Sequence, residues 1–465
     1  MSQLVWFRND LRIDDNPALA AALETNTPVF AVYVEISKQH AGSAHQNALR
    51  MHQLRAVNGE LAKRGVVLRI LTAENFHQAA GAVVDLATAL RCNGIYANRE
   101  SGIHELERDQ FVSNHFHGRV SFYGIDTVQP LGTITTGQGT MFKVFTPFKR
   151  AWLSRWNEAL VSPIKVSSQL PAVEPSTEVD AYTSRRIATL PDVSHWLHPK
   201  NTLQRFVQDA AREYDELRDF PAIDGTSKLS PHLAIGAISI QSCVRSLLRG
   251  RSIGELNNGE SVWLSELIWR DFYRHLMFAY PDISKDKAFQ PYTDLIQWDN
   301  NQRNFEAWCE GKTGFPIVDA AMRCLNTTGW MHNRLRMVVA SFLCKDLMID
   351  WRWGEQYFMS VLIDGDFASN NGGWQWAASA GADAAPYFRI FNPIRQSQRF
   401  DEQGAFIRAW IPELKDLPDK AIHDPHGWCD KHQLTTAYCS AIIDRSKSKD
   451  RVMTAFAAAK EQLVG

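Results

Sequence analysis

Short apolar runs alternate with amphipathic stretches over the first 130 residues or so of the chain. The runs predict buried strands at residues 4–7, 29–34, 66–71, 94–97 and 120–123, separated by helical patterns near 17–24, 46–64, 74–91 and 103–116. Asn16 as N-cap and Pro17 at the first helical position indicate where the first helix begins. This alternation predicts an α/β domain in which helices cover both faces of a parallel five-stranded sheet.

The pattern changes twice further along the chain. Residues 131–200 are rich in Gly, Thr, Ser and Pro and predict a long connector, although residues 142–156 have a helical, aromatic pattern. Beyond this, apolar stripes of 3.6-residue period predict helices at 201–218, 230–248, 259–280, 302–309, 316–325, 330–348, 354–362 and 450–463. We therefore predict an α/β domain (1–130), a connector (131–200) and a large all-α domain (201–465) that encloses a ligand site.

The composition is that of an ordinary globular protein. Of 465 residues, 45% are hydrophobic and 22% are charged, and there is neither an apolar leader nor a run of about 18 apolar residues. We expect a cytoplasmic protein that does not enter a membrane. The seven cysteines lack disulfide or metal-ligand spacing, so no metal is expected. No dinucleotide, phosphate-loop or hydrolase motif occurs.

The formal net charge of -1 allows only a local basic surface for nucleic acid. The 15 tryptophans exceed what a core needs, which raises the question of whether some indoles have a chemical role.

Residues 364–376 combine two carboxylates, two adjacent amides, a glycine pair and two indoles without a clear period. Gly372 and Gly373 would allow a close backbone approach, while the amides, carboxylates and indoles offer directed hydrogen bonds and flat apolar faces. The stretch suits a planar ligand with polar edges. An irregular loop leading into a core helix is the alternative, and composition alone favours it.

A hydroxyl-rich segment, residues 226–230, precedes a predicted helix. Its hydroxyls, its lysine and the helix dipole suit a phosphate. A plain helix cap formed by Ser230, with Pro231 at the first helical position, explains the same residues.

One face of the helix predicted at 259–280 carries a carboxylate, an indole, a guanidinium and a phenol. These are Glu266, Trp269, Arg270 and Tyr273. They suit the lining of a cavity for an aromatic, hydrogen-bonding substrate. The alternative is a solvated ion pair between Glu266 and Arg270 beside a packed indole.

Two later segments are basic. Residues 328–337 place Asn333, Arg336 and Met337 on one helix face, where Arg336 could pair with Asp364, and Arg334 lies a quarter turn away. Residues 387–399 interleave arginines with aromatic and amide side chains. This pattern suits a nucleic-acid backbone with unstacked bases, and a solvated surface is the alternative.

These blocks resemble the DNA photolyase and cryptochrome family, most closely the bacterial cyclobutane pyrimidine dimer photolyases with a folate antenna. The resemblance covers nearly the whole chain. It is most specific in VWFRNDLRIDDN at 5–16, WRDFY at 269–273 and GWMHNRLR at 329–336. It implies a Rossmann-like α/β antenna domain, a connector and an all-α FAD-binding domain. The implied activity is light-driven splitting of pyrimidine dimers in DNA by reduced, anionic FAD.

The resemblance also implies the flavin site. Its adenine and phosphate part would be held by Tyr214, Thr226, Ser227, Lys228, Leu229 and Ser230, with Trp263 nearby. The remainder would be lined by Arg336, Asp364, Gly365 and Asp366, with Asn370 facing the flavin N5. The family usually has Arg at position 228; Lys228 keeps the charge but not the bidentate geometry.

The substrate site and an electron path follow from the same resemblance. Residues expected to contact the dimer or its strand are Arg218, Glu266, Trp269, Arg270, Asn333, Arg334, Met337, Trp376, Arg389 and Gln396. Glu266 would hydrogen-bond the damaged base, and the indoles would stack on a dimer turned out of the helix. Trp298, Trp351 and Trp374 match the family's electron-transfer chain.

The antenna implied by the family is 5,10-methenyltetrahydrofolate. Matching positions are His45, Glu105 and Lys285, and His104 stands where relatives usually have Asn. An imidazole can still donate a hydrogen bond to a pterin, so folate stays the antenna that the resemblance implies. A deazaflavin, a flavin and an empty site are the alternatives.

Two other functions compete with repair of cyclobutane dimers. A cryptochrome-like photoreceptor would use the same flavin, but the residues after Trp428 lack the long low-complexity extension of many such receptors. Repair of the 6-4 photoproduct would need a His pair that is not evident beside Asn333. We expect a monomer whose partner is dimer-containing DNA.

Overall fold

The computed structural model describes residues 2–37, 42–124 and 126–464. The chain divides into two compact units. The first comprises Met1–Arg212, Ser227–Ser284 and Ile363–Ala368, and the second comprises Glu213–Thr226, Lys285–Leu362 and Ser369–Gly465. Within the described ranges, no helix combines the length and the apolar character that a membrane crossing needs.

The first unit contains a parallel sheet in the order β3-β2-β1-β4-β5, which confirms the predicted five-stranded parallel sheet. The strands are β1 Ser2–Phe7, β2 Val29–Ile36, β3 Val67–Ala73, β4 Cys92–Arg99 and β5 Arg119–Gly124. Because β2 and β4 lie on opposite sides of β1, the strand order reverses there. In open parallel sheets, the crevice at the carboxyl ends of such strands is the usual place for a ligand.

Helices make up most of the rest of the described chain. Up to residue 279 they are α1 Pro17–Leu23, α2 Ala44–Ala62, α3 Phe76–Ala89, α4 Ile103–His115, α5 Phe145–Ser154, α6 Thr177–Ile187, α7 Pro199–Asp209, α8 Tyr214–Leu217, α9 Ser230–Ala234, α10 Ile240–Leu248 and α11 Asn258–Ala279. Beyond it they are α12 Gln302–Glu310, α13 Pro316–Thr328, α14 Asn333–Ser341, α15 Trp351–Val361, α16 Phe367–Ala378, α17 Pro393–Phe400, α18 Ala405–Trp410, α19 Pro425–His432 and α20 Ser448–Val464. A π-helical turn, Phe342–Asp346, follows α14 directly.

Strand β1 shows why apolar runs predicted this sheet. Val5 and Phe7 enter one apolar cluster, while Leu4 and Trp6 enter a second cluster on the opposite face. All four side chains are at most 1% exposed. Since both faces are covered, the strand has no polar face to show in the sequence. The predicted start of α1 is also confirmed, because the Asn16 side chain accepts a hydrogen bond from the backbone of Leu19.

Several predicted helices differ from the observed ones. The pattern at 230–248 forms two helices, α9 and α10, because Gly236 between them has φ +68 and its Cα lies against the backbone of Asn9 and Asp10. The helix predicted at 330–348 begins at Asn333 and changes to π geometry at Phe342. Helix α6 lies within the predicted connector, and α17, α18 and α19 were not predicted.

Residues 364–376 differ most from the expectation of an irregular stretch. Helix α16 begins at Phe367 and contains both glycines. Neither Gly372 nor Gly373 has positive φ, and a Cβ at Gly373 would meet no protein atom within 4 Å. The expected backbone freedom is therefore not used at this pair, and no other protein segment approaches Gly373 closely.

A buried carboxylate joins the segment after β5 to two helices of the first unit. Asp271 of α11 accepts hydrogen bonds from the backbone N–H groups of Val128 and Gln129, at 3.0 and 3.2 Å, and from Trp152 Nε1 of α5 at 2.9 Å. Its side chain is fully buried. Three donors of two different segments thus depend on one acceptor.

We expect Asp271→Ala to lower the free energy of unfolding by about 3–5 kcal/mol, because each buried donor left unpaired costs about 1–3 kcal/mol. Denaturant unfolding followed by circular dichroism measures the loss. Asp271→Asn keeps one acceptor oxygen and should lose less. A loss below about 1 kcal/mol for the alanine variant would contradict the assigned role.

The second unit is built around one large apolar cluster. It contains buried residues of α13, α14, the π turn, α15, α16 and α18. Its aromatic centre includes Trp308, Trp351, Phe358 and Trp374, each at most 2% exposed. Several of the tryptophans that raised the question of a chemical role therefore lie in one core.

Candidate active site

An ion-pair chain in the first unit includes two of the predicted site residues. Arg274 lies between Asp126 and Asp366, with Nε 2.6 Å from Asp126 and Nη1 3.0 Å from Asp366. Arg270 pairs with the same Asp126 at 2.6 Å. Burial disfavours the charge on Asp126, but Arg274 and Arg270 outweigh it and lower its pKa. Asp126 is thus a partner of Arg270 that the sequence did not indicate, and the substrate contact of Arg270 stays a prediction.

Helix α2 of the first unit also contacts the segment that contains Asp364, Gly365 and Asp366. Gln46 of α2 donates to the carbonyl of Gly365 at 2.7 Å. Asp364 is buried, at 7% exposure. Asp366 has Arg274 as its partner, a residue that the sequence did not indicate. Two separate elements thus position these predicted flavin residues.

The exposed side of α11 carries Glu266 and Trp269 one turn apart. Trp269 stacks on Phe145 of α5, with ring centroids 3.7 Å apart and an interplanar angle of 8°. Both Glu266 and Trp269 are half-buried. Trp263, near the start of the same helix, is 2% exposed and packs against Phe206 of α7. Phe145 thus fixes the plane of the indole, a contact that sequence reasoning missed.

The hydroxyl-rich segment is divided between the two units, with Thr226 in the second and Ser227–Ser230 in the first. Lys228 has φ +50, an uncommon conformation for a residue other than glycine. Leu229 is 1% exposed, and Ser230 begins α9. The segment therefore has the tight, irregular backbone expected of a phosphate loop.

Asn370, predicted to face the flavin N5, lies next to a buried acid in the second unit. Its Nδ2 donates to the carbonyl of Glu355 at 3.0 Å. Glu355 is 4% exposed, and among the described residues its Oε1 has no hydrogen-bond partner. Burial and the negative charge of Asp286 raise the pKa of Glu355 to about 7, against the opposing effects of Asn370 and Arg352.

This pKa predicts a pH-dependent stability. The folded pKa lies above the unfolded one, so the contribution of Glu355 is full below about pH 4.5 and is lost as the pH rises through 7. Glu355→Gln carries no charge, so we expect it to be more stable than the wild type at pH 8, by up to about 3 kcal/mol, and equal to it near pH 4.5. Thermal melting at the two pH values tests this.

Glu310→Gln is a suitable control, because Glu310 is 57% exposed and pairs with Lys312 at the surface. The same stability difference for Glu355→Gln at both pH values would contradict the raised pKa.

The three tryptophans of the predicted electron path all contact one core cluster in the second unit. Trp374 is edge-on to Phe358, with ring centroids 5.0 Å apart, and to Trp308, at 6.0 Å. Its ring edge lies so close to Gly354 of α15 that a Cβ there would overlap it. Trp351 begins the same helix one turn earlier. Trp298 is partly buried against the cluster.

The residues predicted to contact DNA lie on several elements of the second unit. Arg334 pairs with Asp219 at 2.8 Å and lies over the ring of Phe400 at 4.4 Å. Arg218 lies over the ring of Tyr214, at 5.2 Å. Thus Arg334 already has an acidic partner that a phosphate would have to replace.

The other predicted substrate residues differ in exposure. Asn333 and Arg389 are exposed, whereas Met337, Trp376 and Gln396 are half-buried. Arg336 donates from Nε to the carbonyl of Met331 at 2.8 Å. In the described part of the chain, Gln396 Oε1 is buried without a hydrogen-bond partner.

The predicted antenna residues lie near the starts of two helices and on the second unit's surface. His45 is in the first turn of α2, and Glu105 is in the first turn of α4, with its carboxylate against Gly102. His104 is exposed and 3.4 Å from Glu107. Lys285 is exposed in the second unit.

Sequence reasoning missed a cleft at the carboxyl ends of β1 and β2. Its volume is about 170 Å³, which is smaller than that of most small-molecule pockets. Arg8 and Arg108 lie over the ring of Trp6 at 5.1 and 5.0 Å, and Arg108 pairs with Glu100 at 3.0 Å. Arg50 also lines the cleft. The signal available in the sequence was the charged residues that follow each buried strand, which meet where the strand order reverses.

Comparisons with known proteins identify the family of the chain. Residues 3–169 match the model of the DNA photolyase family, and residues 263–458 match that of the FAD binding domain of DNA photolyase. A deoxyribodipyrimidine photo-lyase of Vibrio cholerae is 45% identical, over 98% of this chain and all of that one.

Two solved structures are similar over nearly the whole chain. A class III photolyase of Agrobacterium tumefaciens has TM-score 0.86 and 34% identity, covering 99% of this chain and 98% of that one. A photolyase of Sulfolobus tokodaii, described with two FAD molecules and a novel light-harvesting cofactor, has TM-score 0.83 and 29% identity, covering 98% and 100%.

The chain belongs to the DNA photolyase family. It is an FAD-dependent lyase of light-driven DNA repair, and this confirms the function expected from the resemblance.

Proposed function

We propose that the chain splits cyclobutane pyrimidine dimers that are turned out of the DNA helix. The observation that carries this substrate assignment is the exposed side of α11, where Glu266 lies one turn from an indole held flat by Phe145. A flat indole beside a hydrogen-bonding carboxyl group suits a stacked, extruded base. The curated relative of Vibrio cholerae, named a deoxyribodipyrimidine photo-lyase, supports the same substrate.

The residues of this chain fit FAD. Ser227, Lys228 and Ser230 offer hydroxyls, an ammonium group and irregular backbone for phosphates. Glu355, whose carbonyl accepts from Asn370, has a buried Oε1 without a hydrogen-bond partner in the described part of the chain. When bound in reduced, anionic form, FAD supplies the electron that opens the dimer's ring under blue or near-ultraviolet light and receives it back. The holding residues in our proposal are Tyr214, Thr226, Ser227, Lys228, Leu229, Ser230, Trp263, Arg336, Asp364, Gly365, Asp366 and Asn370.

In the proposed mechanism, the polypeptide positions the dimer and stabilises charge. Glu266 forms a hydrogen bond with the damaged base, and Trp269 and Trp376 stack on the dimer. Asn333 and Met337 also contact the dimer, while Arg218, Arg270, Arg334, Arg389 and Gln396 hold the DNA strand. Trp298, Trp351 and Trp374 carry electrons inward when the cofactor must first be reduced.

Incubation of the flavin-loaded protein with dimer-containing DNA, in light and in darkness, tests the proposal. Dimers should disappear only in light. DNA affinity should also fall steeply with salt, because arginine–phosphate contacts release counterions. Persistence of dimers in light, with flavin bound and reduced, would refute the substrate assignment.

For the antenna, we propose 5,10-methenyltetrahydrofolate, held by His45, His104, Glu105 and Lys285. The arginine-lined cleft supports a flavin or deazaflavin as the alternative, and the second FAD of the Sulfolobus tokodaii photolyase favours such a chromophore in that protein. The absorption spectrum before and after acid release of the chromophores separates a pterin from a second flavin.

The domain limits 1–130, 131–200 and 201–465, a monomeric state and a cytoplasmic location are also proposed. Sedimentation of the flavin-loaded protein with and without DNA tests the monomer.

A further inference from the structure

A fully buried lysine lies in the π turn that follows α14. Lys345 is 1% exposed, and its neighbour Asp346 is 0% exposed. The ammonium group donates to the backbone carbonyl of Arg389 at 3.1 Å. Arg389 lies 44 positions later, in a segment without regular secondary structure. A buried charge is costly unless it has a partner, so this contact needs a reason.

Two more contacts join the end of α14 and the π turn to the same segment. Ser341 Oγ accepts from the backbone N–H of Phe391 at 3.4 Å. Asp346 pairs with Arg445 Nε at 2.9 Å, and Arg445 Nη2 donates to the carbonyl of Phe391, also at 2.9 Å. The backbone carbonyls of Arg389 and Phe391 therefore each accept a hydrogen bond from a cationic side chain, from Lys345 and Arg445 respectively.

The side chains of this segment are directed differently from its carbonyls. We name residues 386–392 the arginine loop. It turns through a hydrogen bond from the Arg389 N–H to the Pro386 carbonyl, 2.8 Å long. Phe388 at its tip is 59% exposed, and Arg389 is exposed with its guanidinium 5.8 Å from the ring of Phe391. Hydrogen bonds thus hold the backbone of the arginine loop, while the side chains of Phe388 and Arg389 remain at the surface.

We propose that Lys345, supported by the Asp346–Arg445 pair, is a positioning residue that holds the arginine loop so that Arg389 meets the DNA strand. This rests on the proposed function. Replacing a buried charge by an apolar side chain is often neutral or stabilising. If packing in the core were the only requirement, a methionine at position 345 would be sufficient. We therefore attribute the lysine to the hydrogen bond that it donates to the loop. The same helical segment begins with Asn333 and Arg334, so it links the loop to the proposed dimer pocket.

The test measures Lys345→Met, Arg389→Ala and the double variant, all flavin-loaded. The dissociation constant for dimer-containing duplex is measured in darkness, and the repair yield per absorbed photon at saturating DNA. We expect Lys345→Met to raise the dissociation constant about five-fold, the order of one lost phosphate contact. Flavin content and repair yield at saturation should stay at wild-type levels. In the Arg389→Ala background, Lys345→Met should have no further effect, because the two residues act through one contact.

Lys312→Met is the matched control. Lys312 is 62% exposed and pairs with Glu310. Its replacement therefore removes one positive charge from the same unit without changing a contact of the arginine loop. Its dissociation constant should stay within about two-fold of the wild type. An equal weakening by Lys312→Met, an additive double variant, or unchanged affinity of Lys345→Met would overturn the proposal.

The outcomes separate this proposal from the proposed function. A wild type that binds dimer DNA no more tightly than undamaged DNA and repairs nothing in light refutes the function. Weakening by Arg389→Ala but not by Lys345→Met refutes the positioning role alone. If Lys345→Met does not fold, Arg445→Gln replaces it, because Arg445 is partly exposed and supports the same loop. Unchanged affinity of Arg445→Gln would then refute the proposal.

Discussion

Glu266→Ala should lower the repair yield about three- to ten-fold while flavin stays bound, since this is the worth of one lost hydrogen bond. Glu266 lies one turn before Trp269 on α11, and Phe145 holds that indole in one plane. A dimer stacked on Trp269 would present its polar edge to the carboxyl group. The bond strengthens as negative charge develops on the base, so its loss affects the yield more than the affinity.

Glu266→Gln and Ser265→Ala are the conservative variant and the control for this prediction. The glutamine keeps a hydrogen-bonding side chain of the same length and should retain more of the yield than alanine. Ser265 is the preceding residue of the same helix and accepts a hydrogen bond from Lys149 at 2.6 Å, so its replacement disturbs α11 without removing the proposed contact. Yield per absorbed photon, measured at saturating DNA with flavin fully reduced, decides it. An unchanged yield for Glu266→Ala would remove Glu266 from the mechanism.

The parts of the fold predictable from the sequence are those with a local cause. Strand β1 is buried on both faces, so its apolar run is visible without knowledge of its neighbours. Asn16 and Pro17 act within one turn of α1. By contrast, α16 contains adjacent asparagines and adjacent glycines, which disfavour a helix locally. It is helical because Trp374, Ala377 and Ala378 pack in the core of the second unit.

The site shows the same division. The resemblance supplied roles for Asp366, Asn370 and Trp269, but their supporting partners lie far away in the sequence. Asp366 is paired with Arg274, 92 positions earlier, and Trp269 stacks on Phe145. The donation of Lys345 to Arg389 likewise depends on a π turn that has no local signal. Such contacts are set by tertiary packing, which a single sequence does not reveal.

Trp374→Phe should slow light-driven reduction of the oxidised, flavin-loaded protein at least about ten-fold, equivalent to about 1.4 kcal/mol on the barrier. Trp374 is 2% exposed, and its ring edge lies against Gly354, one turn after Trp351 on α15. In the proposed chain, Trp374 of α16 is the relay that follows Trp351 of α15. Phenylalanine fills most of the same volume but is much harder to oxidise than an indole, so the relay is interrupted while the core is kept.

Trp308→Phe separates relay from packing. Trp308 is 0% exposed, belongs to the same cluster, and lies 6.0 Å from Trp374 between ring centroids, but it is not in the proposed chain. Flavin absorbance under illumination with an external reductant measures the rate. Trp308→Phe should reduce at nearly the wild-type rate, and Trp374→Phe that has first been reduced chemically should still repair dimers. Equal slowing in both variants would mean that the indoles matter through packing, and the electron path would then have to avoid Trp374.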